Sequence, residues 1–185
     1  FAGDLPSWIG EGLTNLQHLN LSVNSFSGQI PTSFGNLNKL RFFSICDNDI
    51  TGALSEALVR EWPFLVELNV AENELSGPFP AALGPLRSLQ VLELQSNQFN
   101  STLPLSVLCL IGERRLDLSS DGQGGQREGY CHTRIDKNRH FQLPEDIGTL
   151  AARLDSLVLS GVGLSSTIPP GTGMLSALTS LDFSR

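Results

Sequence analysis

Apolar residues in this chain recur in a fixed frame: Leu16-x-x-Leu19-x-Leu21-x-x-Asn24-x-Phe26-x-Gly28-x-Ile30-Pro31, with the frame starting again at Leu40, Leu65 and Leu89. These starts lie 24, 25 and 24 residues apart. Within each frame Leu19 and Leu21 alternate with polar residues at period two, which predicts a short strand with one side turned to an interior. Asn24, Asn48, Asn73 and Asn97 follow where the chain must turn inward. An asparagine amide carries a donor and an acceptor together, so a ladder of them is expected to satisfy the backbone groups that the turn buries. The frame continues into apolar-Pro steps at Leu5-Pro6, Ile30-Pro31, Phe79-Pro80, Leu103-Pro104, Leu143-Pro144 and Ile168-Pro169. Proline donates no hydrogen bond, so these steps suit a return segment rather than a central strand. Gly28, Gly52 and Gly77, two residues before that step or its equivalent, permit a tight backbone path.

Repeats of this length cannot bury their apolar face alone; they stack, and the stack makes a continuous core. The frame resembles the plant-specific class of leucine-rich repeats, a class that includes ectodomains of receptor-like kinases and receptor-like proteins and the polygalacturonase-inhibiting proteins. The resemblance covers nearly the whole chain. It implies an α/β solenoid, a leucine-rich-repeat horseshoe with a parallel concave β-sheet and a convex side of loops and 3-10 turns. It also implies recognition of a protein or peptide outside the cell or at its surface.

Two later repeats depart from the frame. The fifth reads Glu113-x-x-Leu116-x-Leu118-x-x-Asp121, and its Leu143-Pro144 step comes sixteen residues late, so an insertion is expected over 122–140. The sixth keeps Leu154, Leu157 and Leu159 but puts Val162 at the asparagine position. The chain starts at Phe1, which aligns with Phe26 in mid-repeat, and stops within a seventh strand at Leu178-x-x-Leu181-x-Phe183. Residues 1–185 are therefore expected to form one domain, a fragment of a longer solenoid truncated at both ends, with possible assembly partners at its open ends.

Seven strands at roughly 4.8 Å spacing would give a sheet about 30 Å long, enough for a peptide or protein. Its outward side chains are expected in three columns. His18, Phe42, Glu67, Val91, Arg115, Ser156 and Ser180 form one; Asn20, Ser44, Asn69, Glu93, Asp117, Val158 and Asp182 the next; Ser22, Cys46, Ala71, Gln95, Ser119, Ser160 and Ser184 the third. Phe42, Glu67, Asn69, Glu93, Arg115 and Asp117 are the candidate contact residues, since an aromatic supplies area and charges supply orientation. Arg127, Arg134, Lys137 and Arg139 make the insertion a basic second candidate. Trp8 and Trp62 are expected to plug gaps between coils, and Phe26, Phe34, Phe79 and Phe99 to face the interior.

Composition narrows the function further. A net charge of −7 with twelve Lys and Arg spread along 185 residues disfavours nucleic acid as a partner. No apolar run reaches the roughly 18–20 residues of a bilayer span, so a membrane would be reached only through segments absent here. No cofactor is indicated, and Glu67 with Glu93 is a weak case for catalysis because flat sheet faces seldom bury carboxylates. Cys131 and His132 with His140 fall short of a metal set. Cys109 and Cys131 could pair in an oxidising compartment, leaving Cys46 free. Asn20-Leu21-Ser22 and Asn100-Ser101-Thr102 are glycosylation acceptors. A scaffold subunit within a large assembly, and carbohydrate or ice binding along a Ser-rich strip, are the competing functions.

Overall fold

The computed structural model describes residues 1–107, 132–134, 142–150, 156–158 and 167–182. Four of its strands fall where the alternation places them: β2 (His18–Asn20), β4 (Phe42–Ser44), β6 (Glu67–Asn69) and β8 (Val91–Glu93). They pair in parallel with no slip, so that His18, Phe42, Glu67 and Val91 lie side by side, as do Asn20, Ser44, Asn69 and Glu93. The middle residue of each strand, Leu19, Phe43, Leu68 and Leu92, is buried. Two-residue alternation thus fixes register and sidedness together.

The fifth strand of this sheet differs from expectation. His132–Arg134 (β10) pairs with β8, His132 beside Val91 and Arg134 beside Glu93. The repeat frame predicts this segment inside the insertion and the fifth strand at Arg115–Asp117, which lies outside the described residues. The physical basis is visible in the sequence, where Thr133-x-Ile135-x-x-Asn138 reproduces the spacing of Leu19-x-Leu21-x-x-Asn24. Further along, β11 (Ser156–Val158) and β12 (Ser180–Asp182) pair in the anticipated register, Ser156 beside Ser180.

Among the described residues, the coils up to Phe99 each carry a second strand that the repeat frame does not predict. β1 (Ala2–Asp4), β3 (Ser25–Gln29), β5 (Asp49–Ala53), β7 (Glu74–Gly77) and β9 (Gln98–Phe99) form a separate five-stranded parallel sheet. The return side therefore holds more than loops and 3-10 turns. Gly3, Gly28, Gly52 and Gly77 have φ of 91°, 71°, 79° and 82°, a region that favours glycine, and they bend this strand toward the apolar-Pro step. At Gly52 a Cβ would also stand 2.9 Å from Cγ of Gln29 in the preceding coil. The return segments that follow are α1 (Trp8–Gly12), α2 (Glu56–Arg60) and four 3-10 turns: Thr32–Asn36, Ala81–Leu83, Ile147–Leu150 and Pro170–Met174.

The asparagine ladder joins the two sheets. Phe26 N–H donates to Asn48 Oδ1, Ile50 N–H to Asn73 Oδ1 and Leu75 N–H to Asn97 Oδ1, each at 2.9 Å. Each of these amides also donates backwards and locally; Asn73 Nδ2 reaches the carbonyls of Ile45, Val70 and Ala71. All three asparagines are buried. One residue before each rung, Val23, Asp47, Glu72 and Ser96 take φ of 53–58°, which turns the chain inward.

Phe34, Phe43, Phe99 and Trp62 are fully enclosed, and Phe26 and Phe79 are buried with them. Trp62 packs on Phe43 with ring centroids 5.1 Å apart and donates its Nε1–H to the Phe34 carbonyl. Trp8 does not plug a gap; it is 60% exposed. The repeat frame accounts for the contrast. Trp62 stands three residues before Leu65, where Leu37 and Leu86 stand in their own coils, whereas Trp8 stands eight before Leu16, where the neighbouring coils carry Thr32 and Ala81. Ile9 and Gly10 take the inner side of α1 instead. Gly10 lies against the next coil so closely that a Cβ there would be 2.1 Å from the Ser33 carbonyl oxygen.

Candidate functional site

Strands β2, β4, β6 and β8 turn their middle residues, Leu19, Phe43, Leu68 and Leu92, inward and leave three columns on the opposite face, as the alternation requires. Phe42, Glu67, Asn69 and Glu93 come together there: Phe42 is the register neighbour of Glu67, and Asn69 of Glu93. Asn69 Nδ2 donates to Glu93 Oε2 at 2.9 Å, while its Oδ1 accepts the Ala71 N–H. The asparagine thereby holds both the carboxylate of the next rung and its own turn. Asn20 repeats the second interaction with the Ser22 N–H. His18 and Phe42 rings lie 5.4 Å apart, making an aromatic edge to the patch.

Arg115 and Asp117 lie outside the described residues, as do Arg114, Arg127, Lys137, Arg139, Cys109, Cys131 and His140. Arg134 lies in β10, at the register position beside Glu93. Among the described residues no group of three or more His, Cys, Asp and Glu is arranged to hold a metal, and no helix is long and apolar enough to cross a membrane.

The face is electrostatically one-sided. Positions 18–23, 42–47, 67–72 and 91–96 hold Asp47, Glu67, Glu72 and Glu93 and no Lys or Arg. Burial pushes the Glu67 carboxyl above its usual range, and the nearby Glu93 adds to the rise while His18 opposes it. Burial likewise pushes the Cys46 thiol up to about 11, aided by Glu72, Glu93 and Asp47, so it is a protonated, unreactive thiol at neutral pH. The third column is low: its Ser22 shares a hydroxyl–hydroxyl hydrogen bond of 2.6 Å with Ser44 of the second column, and its Ala71 is buried. Gln95 ends it, 6% exposed, with its Oε1 lacking any hydrogen-bond partner.

Apart from Arg134 in β10, the nearest described cations sit on the flank. Lys39 and Arg41, with Gln17, Phe64 and Ser88, line a groove on the flank just before the strands, and Lys39 Nζ donates to Asn15 Oδ1 at 2.6 Å. The sequence reading missed this flank because it counted only strand columns; the signal available was Lys39-Leu40-Arg41 ahead of β4. Of the two glycosylation acceptors, Asn100 is exposed just after β9, whereas Asn20 is exposed within β2 among the columns themselves.

A stack of parallel coils closed by an asparagine ladder defines a leucine-rich-repeat solenoid, and a Leucine Rich Repeat family model matches residues 15–37. The chain resembles plant receptor ectodomains. It is 50% identical over 38 residues to receptor-like protein 9a of Arabidopsis thaliana, a match that covers 20% of this chain and 4% of that protein. Its structure superposes on the plant peptide hormone receptor RGFR1 in complex with RGF2 at a TM-score of 0.65 and 29% identity, covering 99% of this chain and 30% of the receptor chain. A plant ice-binding protein is similar as well, with TM-score 0.66 and 25% identity over 99% of this chain and 53% of the other. The chain thus spans a small part of the curated relative and under a third of the receptor structure.

Proposed function

We propose that the chain is a recognition segment of a receptor-like protein at the cell surface, which holds a peptide or protein partner across the sheet formed by β2, β4, β6, β8 and β10. The carrying observation is that this sheet repeats its backbone without slip while its outward columns change chemistry at every rung. Phe42, Glu67, Asn69 and Glu93 form a patch with an aromatic anchor and oriented polar groups, the make-up of a contact surface. The likeness to a receptor described in complex with a peptide hormone supports the same reading. Asn100 is the acceptor suited to a glycan, because a glycan on Asn20 would stand in the binding columns.

Ice or carbohydrate binding along a hydroxyl strip has less support. In the second sheet Thr51 Oγ1 donates to the Gly28 carbonyl at 3.0 Å, so that hydroxyl is already committed to backbone.

The test is selection of random twelve-residue peptides against the chain, followed by affinity measurement on variants. Phe42→Ala and Asn69→Ala are each expected to weaken selected binders by about tenfold or more, roughly 1.4 kcal/mol. Binders indifferent to both substitutions but lost with Arg60→Ala on the return side would overturn the proposal.

A further inference from the structure

We infer that the partner on this sheet is a cationic, extended segment, whose Arg or Lys side chains meet Glu67 and Glu72 and whose N–H groups reach the unpartnered Gln95. The inference rests on the recognition reading above and adds the chemistry of what is recognised.

Charge complementarity carries the first part. The first four rungs, ahead of β10, present four carboxylates and no Lys or Arg, although cations are available one step away on the flank at Lys39 and Arg41. Arg134 occupies the register position beside Glu93, so uncompensated acidity centres on Glu67, Glu72 and Asp47 in the second and third coils. Glu67 has Phe42 and Val91 as its register neighbours in the sheet, and neither supplies a counter-charge. A like charge and partial burial both disfavour its ionised form. An approaching guanidinium or ammonium relieves both effects, because an opposite charge within about 4–6 Å favours the carboxylate.

Gln95 supplies an observation independent of charge. Leu92 and Leu94 are buried in the core, so Glu93 and Gln95 alternate to the outward side of the same strand. The Gln95 Oε1 atom is an acceptor that has left water without gaining a donor, a deficit that an N–H from a partner removes. Acids need cations and a bare acceptor needs a donor, so both features ask for the same kind of group. An extended segment fits the relief: Ser22 and Ala71 of the third column, with Ser44 of the second beside them, are small enough for a backbone to approach. The aromatic edge of His18 and Phe42 favours Arg over Lys at that end, since guanidinium stacks on ring faces.

The peptide selection described above distinguishes the outcomes when its products are sequenced and titrated. Enrichment of Arg and Lys is expected, with affinity falling at least about tenfold in the Glu67→Gln, Glu72→Gln double variant and unchanged in Glu74→Gln on the second sheet. A Gln95→Leu variant should weaken the same binders severalfold. Thermal midpoints of all variants verify that the solenoid is intact. Neutral or acidic binders that still depend on Phe42 and Asn69 would refute the cationic partner and leave the recognition face standing. Basic binders equally weakened by Glu74→Gln would reduce the effect to bulk charge and refute it too. Binders that ignore Phe42 and Asn69 would remove the recognition reading itself.

Discussion

The two parallel sheets are made by the same coils, yet they use their residues in opposite ways. In the second sheet a small set recurs: Gly28, Gly52 and Gly77 at positive φ, with Ser27, Thr51 and Ser76 one position before them. Across the first sheet the equivalent column runs His18, Phe42, Glu67, Val91, with no chemistry repeated. Where the chain must bend sharply, backbone geometry dictates the residue. Where it only has to stack, the inward leucine does the packing and the outward residue is free to serve a partner.

The sharpest way to break this contrast is at the rung both sheets share. Asn73→Ala would strip the buried Ile50 N–H of its acceptor and remove one of two donors from each of the Ile45, Val70 and Ala71 carbonyls, which keep Asn48 Nδ2, Asn97 Nδ2 and the Asp47 N–H. A loss of about 1–3 kcal/mol is expected, read as a lowered urea midpoint; no measurable loss would mean the two sheets do not depend on the ladder.

A smaller effect is expected from Gly52→Ala, which places a side chain at φ 79° against Gln29. Some 1–2 kcal/mol should be lost, because the left-handed region costs an L residue about that much. The same substitution without effect would show that the bend is not what selects glycine.

Least of all should Glu67→Gln matter to folding. Burial, with the nearby Glu93, holds the Glu67 carboxyl above the usual carboxylate range, so its ionised form is disfavoured in the folded state. Any stability it contributes is complete below the unfolded pKa and is lost as pH rises through the folded one. The glutamine variant should therefore match the parent at acid pH and exceed it slightly at pH 7, by a few tenths of a kcal/mol given the solvent-screened face. A variant clearly less stable than the parent at pH 7 would place Glu67 among the structural residues and weaken the distinction between the sheets.

The ladder, the first sheet and its columns were legible because their signals are periodic and chemically strict. Leucine at period two, followed by asparagine three residues after the last leucine, leaves little freedom. Ser25–Gln29 was read as part of a return although Phe26, Gly28 and Ile30 also alternate; a glycine in the middle of three hid the strand period. The fifth strand was missed for a related reason. Thr133 stands where a leucine is expected, so a hydrophobic search settles on Leu116 and Leu118, and only Asn138 at the right offset betrays the other frame. Trp8 and Trp62 show that residue type alone misleads, since position in the frame decides burial. Of the candidate site, the grouping of Phe42, Glu67, Asn69 and Glu93 followed from register; the Asn69–Glu93 hydrogen bond and the bare Gln95 acceptor depend on rotamers that no spacing reveals.

Each ladder asparagine reaches backwards, as Asn48 does in donating to the Leu21 carbonyl and accepting from Phe26, both in the coil before it. The unit of tolerated genetic change is consequently one whole coil. Duplicating or deleting about 24 residues reproduces every backward link with a like partner, while inserting a single residue between Asn48 and Gly52 would shift the second sheet against the first.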